Sequence, residues 1–344
     1  MVSVQWVMIN KIPMVAPVLI ILLVLSSVSG GLASPSRTTL WRSEAGGYDF
    51  LRGKSSTAIR FEMYRNLIVI PAMINDTINV KLILDTGTRS MLLYGKRFAS
   101  MPRLSTNRRV KIAGWGSPEG VDAAVSYPNN ILIGSIRGEG LAVAVVPTRT
   151  LFEDRPSIDG IIGYELFVKF VVEINYRTRT IHLFEKLPYG HAEGFTSIPL
   201  EINKAMPQVQ SSIVMKDKST VNLRLLIDTG SSLGLTLFSK DKFAPHTGDI
   251  QRTVGIGLNG IIKGFDLYLK HFFLGSLKVR AMPSYVVNVE AHPDEQFTYC
   301  GSVGAAFLKK HIVIFDYPSS RLFLLSYKDA RRARAVVRTE ALPS

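Results

Sequence analysis

The tripeptide Asp-Thr-Gly occurs twice in this 344-residue chain, each time at the end of an apolar run. Asp85-Thr86-Gly87 closes Val80-Lys81-Leu82-Ile83-Leu84, and Asp228-Thr229-Gly230 closes Asn222-Leu223-Arg224-Leu225-Leu226-Ile227. A hydroxyl residue follows each glycine, Thr88 in the first copy and Ser231 in the second. The copies lie 143 positions apart (228 − 85). One such tripeptide is an ordinary strand-end turn, because Asp and Gly are both common turn residues. Two in matched settings constrain the chain far more. Each apolar strand delivers a carboxylate to the same kind of turn, and a buried carboxylate is costly unless something satisfies it. Two carboxylates brought together cannot easily both ionise, so one keeps its proton. An acid then stands beside a base, which is what hydrolysis by an activated water requires.

Other landmarks repeat as well. Gly134-Ser135 matches Gly275-Ser276, Gly163 matches Gly304, and Tyr176 matches Tyr317, all at an offset of 141 (275 − 134, 304 − 163, 317 − 176). Leu166-Phe167 faces Phe307-Leu308, and Asn175-Tyr176 faces Asp316-Tyr317. A near-constant offset over several landmarks marks an internal duplication of one supersecondary unit. Within each copy, short β-branched runs alternate with turn signals. The run Ile68 to Ile74 and its return Val80 to Leu84 bracket a hairpin tip at Asn75-Asp76, and Tyr164 to Phe170 is a short helical stretch. These patterns predict an all-β chain of two lobes.

The division expected from these patterns starts with residues 1–33 as a signal peptide or membrane anchor and 34–58 as a linker or short pro-segment. An N-terminal lobe over 59–188, a C-terminal lobe over 189–327 and a basic tail over 328–344 follow. The leader reading rests on Lys11, the apolar stretch from Pro13 to about Val28, and the small residues leading to Ala33-Ser34. That stretch is also close to the lower limit of a spanning helix. The expectation is an exported protein, either periplasmic, secreted or anchored facing outward, with any membrane association made through this segment.

The remaining composition narrows the function classes. A balance of 41 basic and 27 acidic residues gives +14 and favours anionic surroundings. No basic patch is interleaved with aromatics as in single-strand binders, so no nucleic-acid partner is expected. The six histidines are scattered without metal-ligand spacing, and no metal or cofactor is expected. The lone Cys300 allows no intrachain disulfide and reads as a half-buried loop thiol rather than a nucleophile. Gly255-Ile256-Gly257-Leu258-Asn259-Gly260 matches G-x-G-x-x-G, but the strand-like residues that follow favour a Gly-rich hairpin over a dinucleotide site. Gly230-Ser231-Ser232-Leu233-Gly234 matches G-x-S-x-G, but the tip of that turn already belongs to Asp228.

With these residues in place, the chain resembles the aspartic peptidases. Each lobe of that family carries Asp-Thr-Gly-Ser/Thr at a strand end and, later, an apolar-apolar-Gly segment that opens a short helix. Here these are Asp85-Thr86-Gly87-Thr88 with Ile161-Ile162-Gly163, and Asp228-Thr229-Gly230-Ser231 with Ser302-Val303-Gly304. The resemblance spans roughly Ile59 to Leu325. It implies two lobes of the acid-protease barrel type with a catalytic cleft between them. Asp85 and Asp228 would hold the attacking water. Thr86 and Thr229 would make crossed hydrogen bonds between the turns, and Thr88 and Ser231 would bond the outer carboxylate oxygens. The chain differs from the family at Ser302, where an apolar residue is usual, at the charged Arg89, and in lacking a pepsin-type flap tyrosine. Its paired Gly-rich turns are similar to the retroviral-type branch and its single-chain layout to pepsin, as in a bacterial fused-lobe enzyme.

Two Gly-rich segments, Ile112 to Gly120 and Val254 to Gly264, begin 27 and 26 residues past their Asp (112 − 85, 254 − 228). They are expected to fold over the cleft as mobile hairpins. Gly114, Trp115, Gly116, Gly255, Gly257 and Gly260 are the candidate flap and substrate-binding residues, with Trp115 as apolar cover. The function so implied is an aspartic endopeptidase with an acid-side pH optimum, acting on protein or peptide substrates as a monomer. The alternative is a catalytically silent bilobal module that binds peptides in the same cleft. Silent relatives typically lose one Asp or its Gly, and both are intact here.

Overall fold

The computed structural model describes residues 23–24, 47–104, 106–115, 120–147, 157–239, 243, 250–258, 260–280, 282–288 and 298–330. The chain is predominantly β-strand, with helices no longer than the four-residue turns Lys96–Ala99, Tyr164–Phe167 and Ala305–Leu308 among the described residues. Three sheets carry the strands, two of ten and one of six.

The first ten-stranded sheet is built around the strand that ends at Asp85. Ile78–Leu84 pairs antiparallel with Leu67–Ile74 across the turn at Asn75-Asp76, and both turn residues adopt positive φ. On its other side Ile78–Leu84 runs parallel to Gly160–Ile162. Gly160–Ile162 is antiparallel to Met91–Tyr94, which in turn lies parallel to Ile136–Val146. The second ten-stranded sheet has the same neighbours in the same directions. Thr220–Asp228 pairs antiparallel with Met206–Met215 and parallel with Gly301–Gly304. Gly301–Gly304 is antiparallel to Leu235–Phe238, itself parallel to Ser284–Val287.

Strand alternation explains where these side chains go, because successive residues point to opposite faces. Val80, Leu82 and Leu84 enter the main core, whereas Ile83 enters a separate cluster on the opposite face. Leu225 and Ile227 likewise enter the main core, and Leu226 points the other way.

The six-stranded sheet joins both parts of the chain, in the order Thr196–Pro199, Arg321–Ser326, His311–Asp316, Val171–Asn175, Thr180–Phe184, Ser56–Arg60. Its central pair is antiparallel, with Val172 opposite Phe315 and Asn175 opposite Ile312. Phe167 meets Phe315 edge-on at 5.2 Å and stacks on Tyr317 at 5.5 Å, which ties distant parts of the chain into one core.

Two expectations change. Part of the segment read as linker is structural: Gly47–Phe50 pairs with Ile136–Glu139, and Ser56–Arg60 is an edge strand beside Thr180–Phe184. Tyr48, buried among core side chains, is the reason a Ser- and Gly-rich stretch is held there. Cys300 is exposed rather than half-buried. The proposed leader lies outside the described residues, apart from a two-residue strand, Leu23–Val24, paired with Gly114 and Ala113. Tail residues 331–344 lie outside them as well. Among the described residues no helix is long and apolar enough to cross a membrane.

Candidate active site

The two Asp-Thr-Gly turns meet. Thr86 Oγ1 donates to the Ile227 carbonyl at 2.7 Å and accepts from the Thr229 N–H at 2.9 Å. Thr229 Oγ1 donates to the Leu84 carbonyl at 2.8 Å and accepts from the Thr86 N–H at 3.0 Å. Each threonine thus satisfies two backbone groups of the opposite turn, where buried polar groups would otherwise be left without partners. The turns sit back to back, and both aspartates are fully buried. Gly87 N–H donates to Asp85 Oδ1 at 2.7 Å, and Gly230 N–H donates to Asp228 Oδ1 at 2.8 Å. A second donor, the Ser231 N–H, reaches Asp228 Oδ1 at 3.1 Å. Neither Oδ2 has a donor among the described residues. Gly230 is required by this packing, because a Cβ there would collide with the Asp85 carboxyl group.

Gly163 and Gly304 support the turns from behind. A Cβ on Gly163 would strike the Asp85 carbonyl oxygen, and one on Gly304 would come within 2.6 Å of the Ser231 carbonyl oxygen. The neighbouring backbone bonds also match: the Tyr94 N–H donates to the Asp159 carbonyl at 2.8 Å, and the Phe238 N–H to the Cys300 carbonyl at 2.9 Å.

Above the carboxylates, two antiparallel hairpins approach each other. One is Thr106–Gly114 with Val121–Ile133, the other Arg252–Gly257 with Gly260–Leu267. Their tips interlock. A Cβ on Gly114 would lie 2.7 Å from Leu258 Cβ, and one on Gly257 would collide with the Trp115 carbonyl. The tip side chains cross over. Trp115 enters a cluster otherwise made of Met206, Leu226, Leu233, Phe238 and their neighbours, 5.2 Å from the Phe238 ring. Ile256 and Leu258 pack on the opposite cluster, which contains Ile83, Leu92, Tyr94, Ile112 and Ile161.

A family model described as Aspartyl protease matches residues 70–166. Residues 70–166 form an aspartic-protease-like domain. The matched span carries the Asp85 turn, the first hairpin and Gly163, and it stops short of Asp228. A search of curated proteins finds no match.

Electrostatics in the protease-like site follow from burial. Desolvation pushes the Asp85 carboxyl well above the usual carboxylate range, the negative charge of Asp228 pushes it further, and the Gly87 N–H partly opposes both. Asp228 is also raised by burial, but the hydrogen bonds from the Gly230 and Ser231 N–H groups favour its charged form. Two backbone donors reach Asp228 Oδ1 and one reaches Asp85 Oδ1, so the backbone favours charge on Asp228 more than on Asp85. A third carboxylate, Glu165, lies half-buried on the helical turn after Gly163, with its Oε2 shielded from solvent. It accepts from the Met91 N–H at 3.0 Å, and burial raises it to about 7.

Thr88 and Ser231 do not act as the resemblance implied. Thr88 Oγ1 donates to the Ser90 carbonyl at 3.1 Å, and Ser231 Oγ accepts from the Leu233 N–H at 3.4 Å. Backbone N–H groups reach the carboxylates first, because the turn folds back over its own Asp. Of the flap candidates, Gly114, Trp115, Gly255, Gly257 and Gly260 lie in the two hairpins, and Gly116 falls outside the described residues. The G-x-G-x-x-G stretch forms a hairpin in which Gly257 opposes Gly260, not a strand–helix unit.

Sequence reasoning missed Leu258 and Glu165. Leu258 was legible, since it stands 30 residues past Asp228 as Trp115 stands 30 past Asp85 (258 − 228, 115 − 85). Glu165 had no signal: its counterpart at the offset of 141 is Ala306 (306 − 165).

Proposed function

We propose that the protein is an aspartic endopeptidase of two homologous lobes, hydrolysing peptide bonds with a water held between Asp85 and Asp228. One observation carries the reading: two fully buried carboxylates on equivalent strand ends, joined through reciprocal threonine bonds. That arrangement costs free energy and has no structural return that a neutral pair would not give better, so it fits a chemical role. Asp228, with two backbone donors on one oxygen, takes a proton from the water as it attacks the carbonyl carbon. Asp85 gives its proton to the carbonyl oxygen. When the resulting gem-diol collapses, Asp85 takes a proton back from one of its hydroxyls as the C=O re-forms, the C–N bond breaks, and the proton now on Asp228 passes to the departing nitrogen. Both carboxylates come from one chain, so a monomer suffices.

The pair titrates as a unit, and activity is bell-shaped in pH. Because burial raises both groups, the optimum sits on the weakly acid side. Export through residues 1–33 belongs to the same proposal, and N-terminal sequencing of native protein beginning near Ser34 tests it.

The decisive experiment compares wild type with Asp85→Asn and Asp228→Asn on an unbiased peptide pool across pH. Each variant should lose nearly all turnover, and the double variant should lose little more, because the groups act together. Unfolding measured in parallel separates chemistry from collapse. A raised folded pKa means ionisation opposes folding, so each Asn variant should be at least as stable as wild type at neutral pH. Normal turnover in either single variant overturns the dyad and points to another nucleophile, whereas peptide binding without turnover in wild type leaves the peptide-binding reading.

A further inference from the structure

The two apolar clusters under the hairpin tips are equivalent in position and different in chemistry. Residues two apart on a strand share a face, so Ile83 lies on the Asp85 side of its sheet and Leu226 on the Asp228 side. Beside Asp85, Ile161 is in register with both Ile83 and Leu92, an all-aliphatic row. Beside Asp228, the corresponding row is Leu226, Ser302 and Thr236, with Ser302 in register with both others. Two hydroxyls thus replace two aliphatic side chains.

Both hydroxyl residues are buried, at 1% and 3% exposure, and neither Ser302 Oγ nor Thr236 Oγ1 has a hydrogen-bond partner among the described residues. Their strand neighbours Val303, Leu235 and Leu237 point into the main core. Alternation therefore turns Ser302 and Thr236 toward the opposite face, where Leu226, Phe238 and Trp115 lie. Buried hydroxyls without partners are costly and rare, and a pair of them in one pocket calls for a ligand group that can both donate and accept. Size is indicated by the present occupants. The Trp115 indole lies in the cluster beside the hydroxyl row, and the aliphatic Leu258 packs on the cluster that holds the aliphatic row together with Tyr94.

We infer that Ser302 and Thr236 are specificity-determining residues, selecting a tyrosine side chain in the pocket that Trp115 occupies, next to an aliphatic residue in the pocket of Ile83, Leu92 and Ile161. The inference rests on the endopeptidase reading in one respect: the two pockets take the residues on either side of the scissile bond. A phenol has a ring to replace the indole and an O–H that donates to one hydroxyl while accepting from the other. Phenylalanine would leave both hydroxyls unpartnered. Trp115 and Leu258 serve as stand-ins that keep the cleft closed and dry until a peptide displaces them.

The test uses peptides in which a reduced –CH2–NH– link replaces the scissile bond, with Tyr, Phe or Ala before the link and Leu after it, and the same set in reverse order. Binding to the full chain is followed by calorimetry. In one of the two orders the Tyr peptide should bind about tenfold tighter than the Phe peptide, the usual scale for satisfying buried polar groups. In the Ser302→Ala/Thr236→Val variant that ratio should fall to about one. Equal binding of Tyr and Phe to wild type in both orders, an unchanged ratio in the variant, or no binding of any peptide overturns the inference. The wild-type ratio stands even if the variant fails to fold. Hydrolysis of the unmodified peptides, scored separately, divides the outcomes. Cleavage without tyrosine preference removes the specificity alone, and tyrosine-selective binding without cleavage removes the endopeptidase reading alone.

Discussion

Replacing Thr229 with valine tests the junction on which the site depends. Valine keeps the volume and branching of threonine and removes only the hydroxyl. Two hydrogen bonds go with it, the 2.8 Å bond to the Leu84 carbonyl and the 3.0 Å bond from the Thr86 N–H. Both backbone groups stay buried without these partners, and each such loss costs about 1–3 kcal/mol. The expected destabilisation is therefore about 2–6 kcal/mol, a large share of the ~5–15 kcal/mol that holds a domain folded. Thr86→Val should cost a similar amount, since it loses the 2.7 Å and 2.9 Å bonds of the mirror-image pair. Thr88→Val is the control: it is equally buried but loses only the 3.1 Å bond to Ser90, worth about 1 kcal/mol. Urea unfolding followed by circular dichroism gives the differences from midpoints at constant slope. A Thr229→Val protein within about 0.5 kcal/mol of wild type, well under the range set by the two lost bonds, would refute the reasoning. So would a Thr88→Val protein destabilised as much.

Glu165 gives a pH-dependent prediction with a definite sign. Its folded pKa is raised from 4.5 to about 7 by burial, so its contribution favours folding fully below about pH 4.5 and is lost as pH rises through 7. Glu165→Gln keeps an acceptor for the Met91 N–H and removes the charge. Its stability should match wild type near pH 4 and exceed it by up to about 3 kcal/mol at pH 8, read from unfolding midpoints; a gain at pH 4 that vanishes at pH 8 would reverse the assignment. Gly257→Ala places a methyl group against the Trp115 carbonyl. Hydrogen exchange in both hairpins should quicken and the Trp emission should shift to the red, whereas unchanged exchange would mean that the tips do not hold each other.

The strand framework was readable because two periodic signals coincided. Apolar runs of strand length ended at the same tripeptide, and the landmarks after each copy kept one spacing. The residues that orient the carboxylates were harder to place. Thr88 and Ser231 have the right chemistry to bond them, yet the turn closes so tightly that the Gly87, Gly230 and Ser231 N–H groups arrive instead. Backbone competition of this kind leaves no mark in residue types. The strand at Gly47–Phe50 was hidden for a different reason: one buried Tyr48 holds a segment whose composition reads as linker.

What the sequence could not disclose is which part of the chain each hairpin tip serves. The shared spacing of Trp115 and Leu258 makes them counterparts, and symmetry alone would allow each tip to cover its own sheet. Instead each crosses to the other, so the closing of one hairpin depends on the other already being in place. This reciprocity couples the tips, since opening one exposes apolar surface on both sides at once. It also frees the two positions to differ. A tip that covered its own sheet would be tied to that sheet's side chains, whereas crossed tips place an indole on the side of the Ser302–Thr236 row and a leucine on the side of the Ile83–Ile161–Leu92 row. Departures from the repeat at Trp115/Leu258, Ile161/Ser302 and Leu92/Thr236 thus fall on the same pair of contacts. Difference concentrated there, while Asp-Thr-Gly is identical at both positions, fits the proposed chemistry acting on an asymmetric ligand.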